Sequence, residues 1–126
     1  MSPLPSHLPI QPQKMEELRL LFGDEQELQS LFEDFFSDLP TRLVTLRAGL
    51  EKSTPELVNL AAHAIKGSSS SLGAKSLFEV ARALEECARS EHLEQAGPWM
   101  DELDDEILRL REYLKSEGLL ERCRPV

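Results

Sequence analysis

The sequence predicts an all-α protein, an antiparallel four-helix bundle with a short additional N-terminal helix. Three observations carry that reading. Apolar residues recur at three- and four-residue intervals along most of the chain, and no alternating segment is long enough for a strand. Helix breakers at Gly23, Pro55, Gly73 and Gly97 with Pro98 divide the pattern into long segments joined by short loops. The 126 residues suffice for one core without disulfide or metal support.

Residues 1–12 hold four of the eight prolines (Pro3, Pro5, Pro9, Pro12) and no periodicity, which reads as a flexible leader covering little of the core. The helical body is placed at 13–118 and a tail at 119–126. A short helix over 15–22 stops at Gly23, and Asp24 caps the next. That long helix carries Leu28, Leu31, Phe32, Phe35, Leu39, Leu43, Leu46 and Leu50 on one face. Pro40 falls inside the stripe, but the phase is kept across it, which favours one kinked helix over two. Ser53 with Glu56 forms a capping box for the next helix, Pro55 suits its first turn, and Gly73 ends it. Ser76 with Glu79 forms a second box, opening a helix with Leu77, Val80, Ala81, Leu84 and Ala88 on one face. Gly97 with Pro98 marks a break or turn. The last helix then presents Leu103, Ile107, Leu110 and Leu114, and Gly118 stops it. Its early acidic run (Asp101, Glu102, Asp104, Asp105, Glu106) suits a helix N-terminus. A metal site is the alternative reading of that run, without converging ligands elsewhere.

Fourteen basic against 23 acidic residues give a net charge of −9, which argues against a nucleic-acid partner. Apolar runs are only a few residues long, so no membrane span is expected, and the N-terminus lacks the pattern of a secretion signal. Two cysteines, Cys87 and Cys123, are too few for a disulfide framework or zinc site, which fits a reduced, cytoplasmic setting. Met1 and the tapering end fit a complete small protein.

The segment AAHAIKGSSSSLGA, residues 61–74, is the unusual one. At about 100° per residue, Leu57, Ala61, Ala64, Ile65, Ser68 and Leu72 form its core sector. His63 then lies roughly 150° from the centre of that sector, facing water, with Asn59, Lys66, Gly67 and Ser70 on its side. A glycine inside a helix costs on the order of 1 kcal/mol against alanine, and the serines are poor helix formers. One turn after His63, Gly67 removes a side chain that would crowd the ring. The Lys66 ammonium, at i+3, reaches a group carried on that ring. Open space, a close cation and a neutral imidazole suit a phosphoryl acceptor. An ordinary solvated face is the rival reading. A serine nucleophile lacks an activating histidine, since His7 lies in the leader and His92 near a loop.

These residues resemble the histidine-containing phosphotransfer family, whose motif is H-x-x-K-G followed by small residues. Here it reads HAIKGSSSSLGA, with His63, Lys66, Gly67 and Gly73. The resemblance extends across roughly residues 13 to 117, through FGDEQELQSLFEDFFSDLPTRLVTLRAGL before the motif and LFEVARALEECARS after it. It implies a phosphorelay intermediate that takes a phosphoryl group from a receiver-domain phospho-aspartate onto His63 and passes it to another receiver aspartate. By the same resemblance, Lys66 holds phosphoryl oxygens and Gly67 gives clearance. Some family members support the histidine with a polar side chain, often glutamine, from the next helix. This sequence offers Glu85 there, a carboxylate that would repel a phosphoryl group. Arg89 and Ser70 are therefore assigned as phosphoryl-supporting residues, with a surface salt bridge as the alternative for Arg89.

The expected partners are response-regulator receiver domains and a hybrid sensor histidine kinase, met by a monomer. No intrinsic cofactor is expected: the receiver domain brings Mg2+, and the chain is a carrier without ATP-dependent kinase activity. Leu60, Ala64 and Leu72, with part of the Leu77, Phe78, Val80 and Ala81 set, are expected to ring the docking ground; the alternative is that they are simply core, which is the favoured reading for Leu77, Val80 and Ala81. Two rival functions are a docking module that accepts no phosphate and a dimerisation domain of a sensor kinase. The intact trio of His63, Lys66 and Gly67 separates the carrier from the first.

Overall fold

The protein's structure, a computed structural model, describes residues 8–120. Five α-helices follow in order: α1 (Pro12–Phe22), α2 (Glu25–Glu51), α3 (Pro55–Leu72), α4 (Lys75–Arg89) and α5 (Gly97–Ser116), with a 3-10 turn at Leu93–Gln95 before the last. The four long helices form the antiparallel bundle. Helix α3 packs most extensively, against α2 and α4; α5 packs on α4, and α1 on α2. There is no strand among the described residues.

The amphipathic stripes meet in one core. Leu28, Phe32, Leu46, Ile65, Leu72, Leu77, Leu84, Leu103, Leu110 and Leu114 are all fully buried. The α2 stripe read from the sequence is buried or half-buried at every position, and α2 runs unbroken through Pro40. Gly49 marks the tightest approach of α2 to α3: an added Cβ would stand 2.8 Å from Val58 Cγ2 and 2.9 Å from the Val58 backbone nitrogen.

The helix ends correct several expectations. Helix α1 begins at Pro12 rather than at 15, with the proline in the first turn. Asp24 does cap α2, its carboxylate accepting from the Gln26 N–H at 2.9 Å. Neither capping box forms. Ser53 takes φ +51 at the exit of α2, so Thr54 becomes the N-cap of α3 and its hydroxyl turns back to the Lys52 carbonyl. At Gly73, φ +76 lets the chain leave α3 and enter α4 after only Gly73 and Ala74, which puts Ser76 already inside the helix. Gly97 with Pro98 opens α5 rather than merely breaking the chain.

The packed body is wider than 13–118. Ile10, expected in the leader, and Leu119, expected in the tail, are both fully buried. Each joins the core from beyond the end of a helix, where periodicity cannot reveal it. The rest of the expected leader (1–7, with His7) and of the tail (121–126, with Cys123) lies outside the described residues. Cys87 is a buried free thiol. Among the described residues no helix is long and apolar enough to cross a membrane.

Candidate functional site

The expected core sector of α3 is displaced around the helix. Val58, Ala61, Ala62, Ile65, Ser69 and Leu72 are buried, while Leu57, Ala64 and Ser68 are only half-buried. Leu57 and Ala64 are apolar and fall in the core sector by periodicity alone. The packing instead selects the face that meets α2 and α4 together. His63 is on the solvent side under either choice, and its side chain is 68 % exposed.

Helices α3 and α4 pack closely, and both bury small residues, Ala61 and Ala62 on one and Ala81 and Ala88 on the other. Across this seam lies a residue the sequence reading set aside. Glu85 of α4 is buried to 4 % side-chain exposure, on the flank of the Leu77, Ala81, Leu84 and Ala88 stripe. Its two carboxylate oxygens have separate partners on α3. Oε2 stands 2.7 Å from His63 Nδ1, and Oε1 accepts from Lys66 Nζ at 2.6 Å.

Burial works to raise the Glu85 carboxyl, but the hydrogen bonds and charges of Lys66 and His63 outweigh it and hold the group below the usual carboxylate range. An ionised carboxylate only accepts, so the shared hydrogen belongs to Nδ1. In the neutral ring, Nε2 then carries the free lone pair, on the exposed edge of the imidazole. No described protein group bonds Nε2.

Lys66 is thus not the free cation expected. Its side chain is 22 % exposed, and its ammonium lies on Glu85. Gly67, one turn after His63, stands in open space: an added Cβ would meet nothing within 4 Å. The four serines diverge. Ser69 faces the core with its hydroxyl unpaired, and Ser71 bonds back to the Gly67 carbonyl at 3.3 Å. Ser70 is exposed on the side of His63 but two turns beyond it, about 10 Å of helix rise. Arg89 lies one turn past Glu85, 61 % exposed, and pairs with Glu86 at 3.6 Å. The structure therefore assembles His63, Lys66 and Glu85 beside Gly67, and leaves Ser70 and Arg89 outside that cluster.

Around His63, Leu60 is 64 % exposed, Ala64 and Phe78 are half-buried, and Leu72, Leu77, Val80 and Ala81 belong to the core. Leu77, Val80 and Ala81 thus follow the alternative reading as plain core, because α4 turns most of its apolar set inward. The acidic run of α5 partners basic side chains, Arg47 with Asp104 and Arg109 with Glu106. Among the described residues no group of three or more His, Cys, Asp or Glu side chains is placed to hold a metal ion.

Comparison with known proteins follows this geometry. The model of the Hpt domain matches residues 30–113. The crystal structure of histidine-containing phosphotransfer protein B (HptB) from Pseudomonas aeruginosa PAO1 is similar to this chain, with a TM-score of 0.79 and 28 % identity. The match covers 86 % of this chain and 93 % of that one. No curated protein matches.

Proposed function

The chain belongs to the histidine-containing phosphotransfer family of phosphorelay intermediates, and from that premise we propose that His63 carries the phosphoryl group on Nε2. The observation that supports this most directly is the fixed, exposed imidazole: a buried carboxylate holds Nδ1, and Nε2 faces open ground beside a glycine. In acceptance, the Nε2 lone pair attacks the phosphorus of a receiver phospho-aspartate. The P–Nε2 bond forms, the aspartyl P–O bond breaks, and its electron pair returns to the aspartate. Donation to a second receiver is the reverse step with another carboxylate as nucleophile.

Such transfers require donor and acceptor in line, with the charge of the phosphoryl oxygens neutralised. Lys66 and the open strip at Gly67 serve this chain's part. The acidic pocket and Mg2+ belong to the receiver domains, and a hybrid sensor histidine kinase starts the relay in the cytoplasm. The carrier acts as a monomer and does not phosphorylate itself from ATP.

The test is transfer of label from a phosphorylated receiver domain in magnesium. Label on His63 that stops on chelation is expected. Label taken directly from ATP by the purified chain, or acceptance on another residue, overturns the proposal.

A further inference from the structure

The bundle closes between α2 and α5, on the side away from the α3–α4 seam, and these two neighbours pack more sparsely than the other adjacent pairs. A groove of about 230 Å3 lies between them. Leu39, Pro40 and Leu43 of α2 and Ile107 and Leu108 of α5 form its apolar walls. Leu108 is 54 % exposed, and Val44, one turn beyond Pro40, is 67 % exposed.

Two charged side chains of α5 also line the groove, Asp104 and Arg111, two turns or about 10 Å of helix rise apart. Asp104 is engaged, since its Oδ1 accepts from Arg47 at 2.9 Å. Arg111 differs. Its guanidinium lies over the Phe36 ring, 4.9 Å from the centroid, and no carboxylate among the described residues pairs with it. Arg19, Arg42, Arg47, Arg82, Arg89 and Arg109 all have one. With 23 acidic residues against 14 basic, the exception is not for want of acids. A guanidinium stacked on an aromatic face keeps its N–H edge for a planar, bidentate acceptor such as a carboxylate.

From this union of an open apolar groove with a held, unpaired guanidinium, we infer that the α2–α5 seam is a second docking surface. Its occupant is an amphipathic helix of a partner protein. That helix carries a large apolar residue for the groove and an acidic residue, one turn away, for Arg111. A helix suits the seam because its ridge of side chains fits the furrow between two others, and anchors one turn apart share a face. Val44 and Leu108 extend the apolar contact beyond the groove itself. The surface lies across the bundle from His63, so a partner held there leaves the imidazole open. The inference does not depend on His63 being the phosphoryl acceptor.

The probe is a short alanine-based helical peptide carrying leucine and glutamate one turn apart, with a second peptide in which glutamine replaces the glutamate. Backbone 15N–1H spectra of the full chain are followed as each is added. The glutamate peptide is expected to shift Phe36, Leu43, Leu108 and Arg111, to leave His63 unmoved, and to bind about tenfold more tightly than the glutamine peptide. Arg111→Gln is expected to erase that preference. Leu108→Ala, at an exposed position, should keep the fold and weaken both peptides alike. No shift with either peptide, equal affinity of the two for the wild type, or shifts centred on α3 overturn the inference. So does an undiminished affinity in Leu108→Ala. Groove shifts that appear on concentrating the protein alone assign the seam to a second copy of the chain and overturn it equally. Loading of His63 by phosphoramidate, a small P–N donor, should be the same in Arg111→Gln as in the wild type. Slower loading would contradict a surface separate from the histidine.

Discussion

Gly49 and Gly67 stand on neighbouring helices, and the same residue type answers two different demands. At Gly49 a Cβ would press on Val58 and Leu57 where α2 meets α3. At Gly67 it would meet nothing. The first glycine is required by the chain's own packing. Nothing inside the fold requires the second, although it carries the same helix cost. On the function proposed above, that cost is offset outside the molecule, by the receiver domain that approaches His63. The α2–α3 contact is thus set by the interior, whereas the exposed side of α3 is set, on that proposal, by its partner.

The sharpest way to break this contrast is at His63. Its side chain is 68 % exposed, and glutamine can still donate to Glu85, so His63→Gln is expected to change stability by less than about 0.5 kcal/mol. Phosphoryl acceptance from a receiver is expected to vanish altogether. Thermal unfolding and label transfer, measured on one preparation, check both halves. Residual labelling, or a collapsed fold, would erase the distinction between the two surfaces.

Gly49→Ala is the converse. The new methyl has no room unless α2 and α3 separate, and such overpacking costs about 1–3 kcal/mol. Better helix propensity returns part of that. Denaturant unfolding should show a clear net loss, with transfer by the folded fraction unchanged. A neutral or stabilising result would mean that the seam yields, and the glycine there would need another explanation.

Next in size is an acid effect located at Glu85. Its folded carboxyl is held below the ordinary value of 4.5, so the unfolded chain binds more protons as the pH falls. The stability tied to Glu85 is complete above that ordinary value and drains as the pH falls through the lower, folded one. Glu85→Gln removes this component, so its stability should decline less steeply on acidification. Urea titrations at neutral and acid pH measure the two slopes, and parallel slopes would show that the bridge to Lys66 and His63 adds nothing.

How far the sequence reveals these features depends on what each residue's neighbours decide. The helices and the α2 stripe are local, fixed by spacing, and they are readable. So is the exposure of His63, because it lies far from the core sector even when that sector is misplaced. The failures concern relations between segments. Ile10 and Leu119 enter the core from outside any periodic stretch. Ser53 and Ser76 have the capping spacing, but a left-handed exit at Ser53 moves the N-cap on to Thr54, and the two-residue link Gly73–Ala74 starts α4 ahead of Ser76. Glu85 was visible as a glutamate opposite His63 and Lys66. Charge alone argued that it should repel phosphate. Only the register of α3 on α4 reveals that it faces Nδ1 and the ammonium, on the ring edge away from Nε2. Arg89 had the right charge and the right helix, but Glu86 occupies it.

The smallest expected effect belongs to Gly67→Ala, and its sign separates the two glycines most cleanly. Alanine is the better helix former by about 1 kcal/mol. With nothing within 4 Å of the new Cβ, no clash subtracts from that gain. The variant should therefore unfold at higher denaturant, opposite to Gly49→Ala. Transfer should tell the other side: a methyl reaches only a short way over the strip, so Gly67→Ala slows it little, whereas Gly67→Leu intrudes on the ground beside Nε2. Stability should then rise from glycine to alanine and stay close to that level with leucine, also a good helix former, while the transfer rate falls along the series glycine, alanine, leucine. Equal rates across the series would show that access is not the reason for the glycine. A loss of stability on introducing alanine would show that the fold requires it after all.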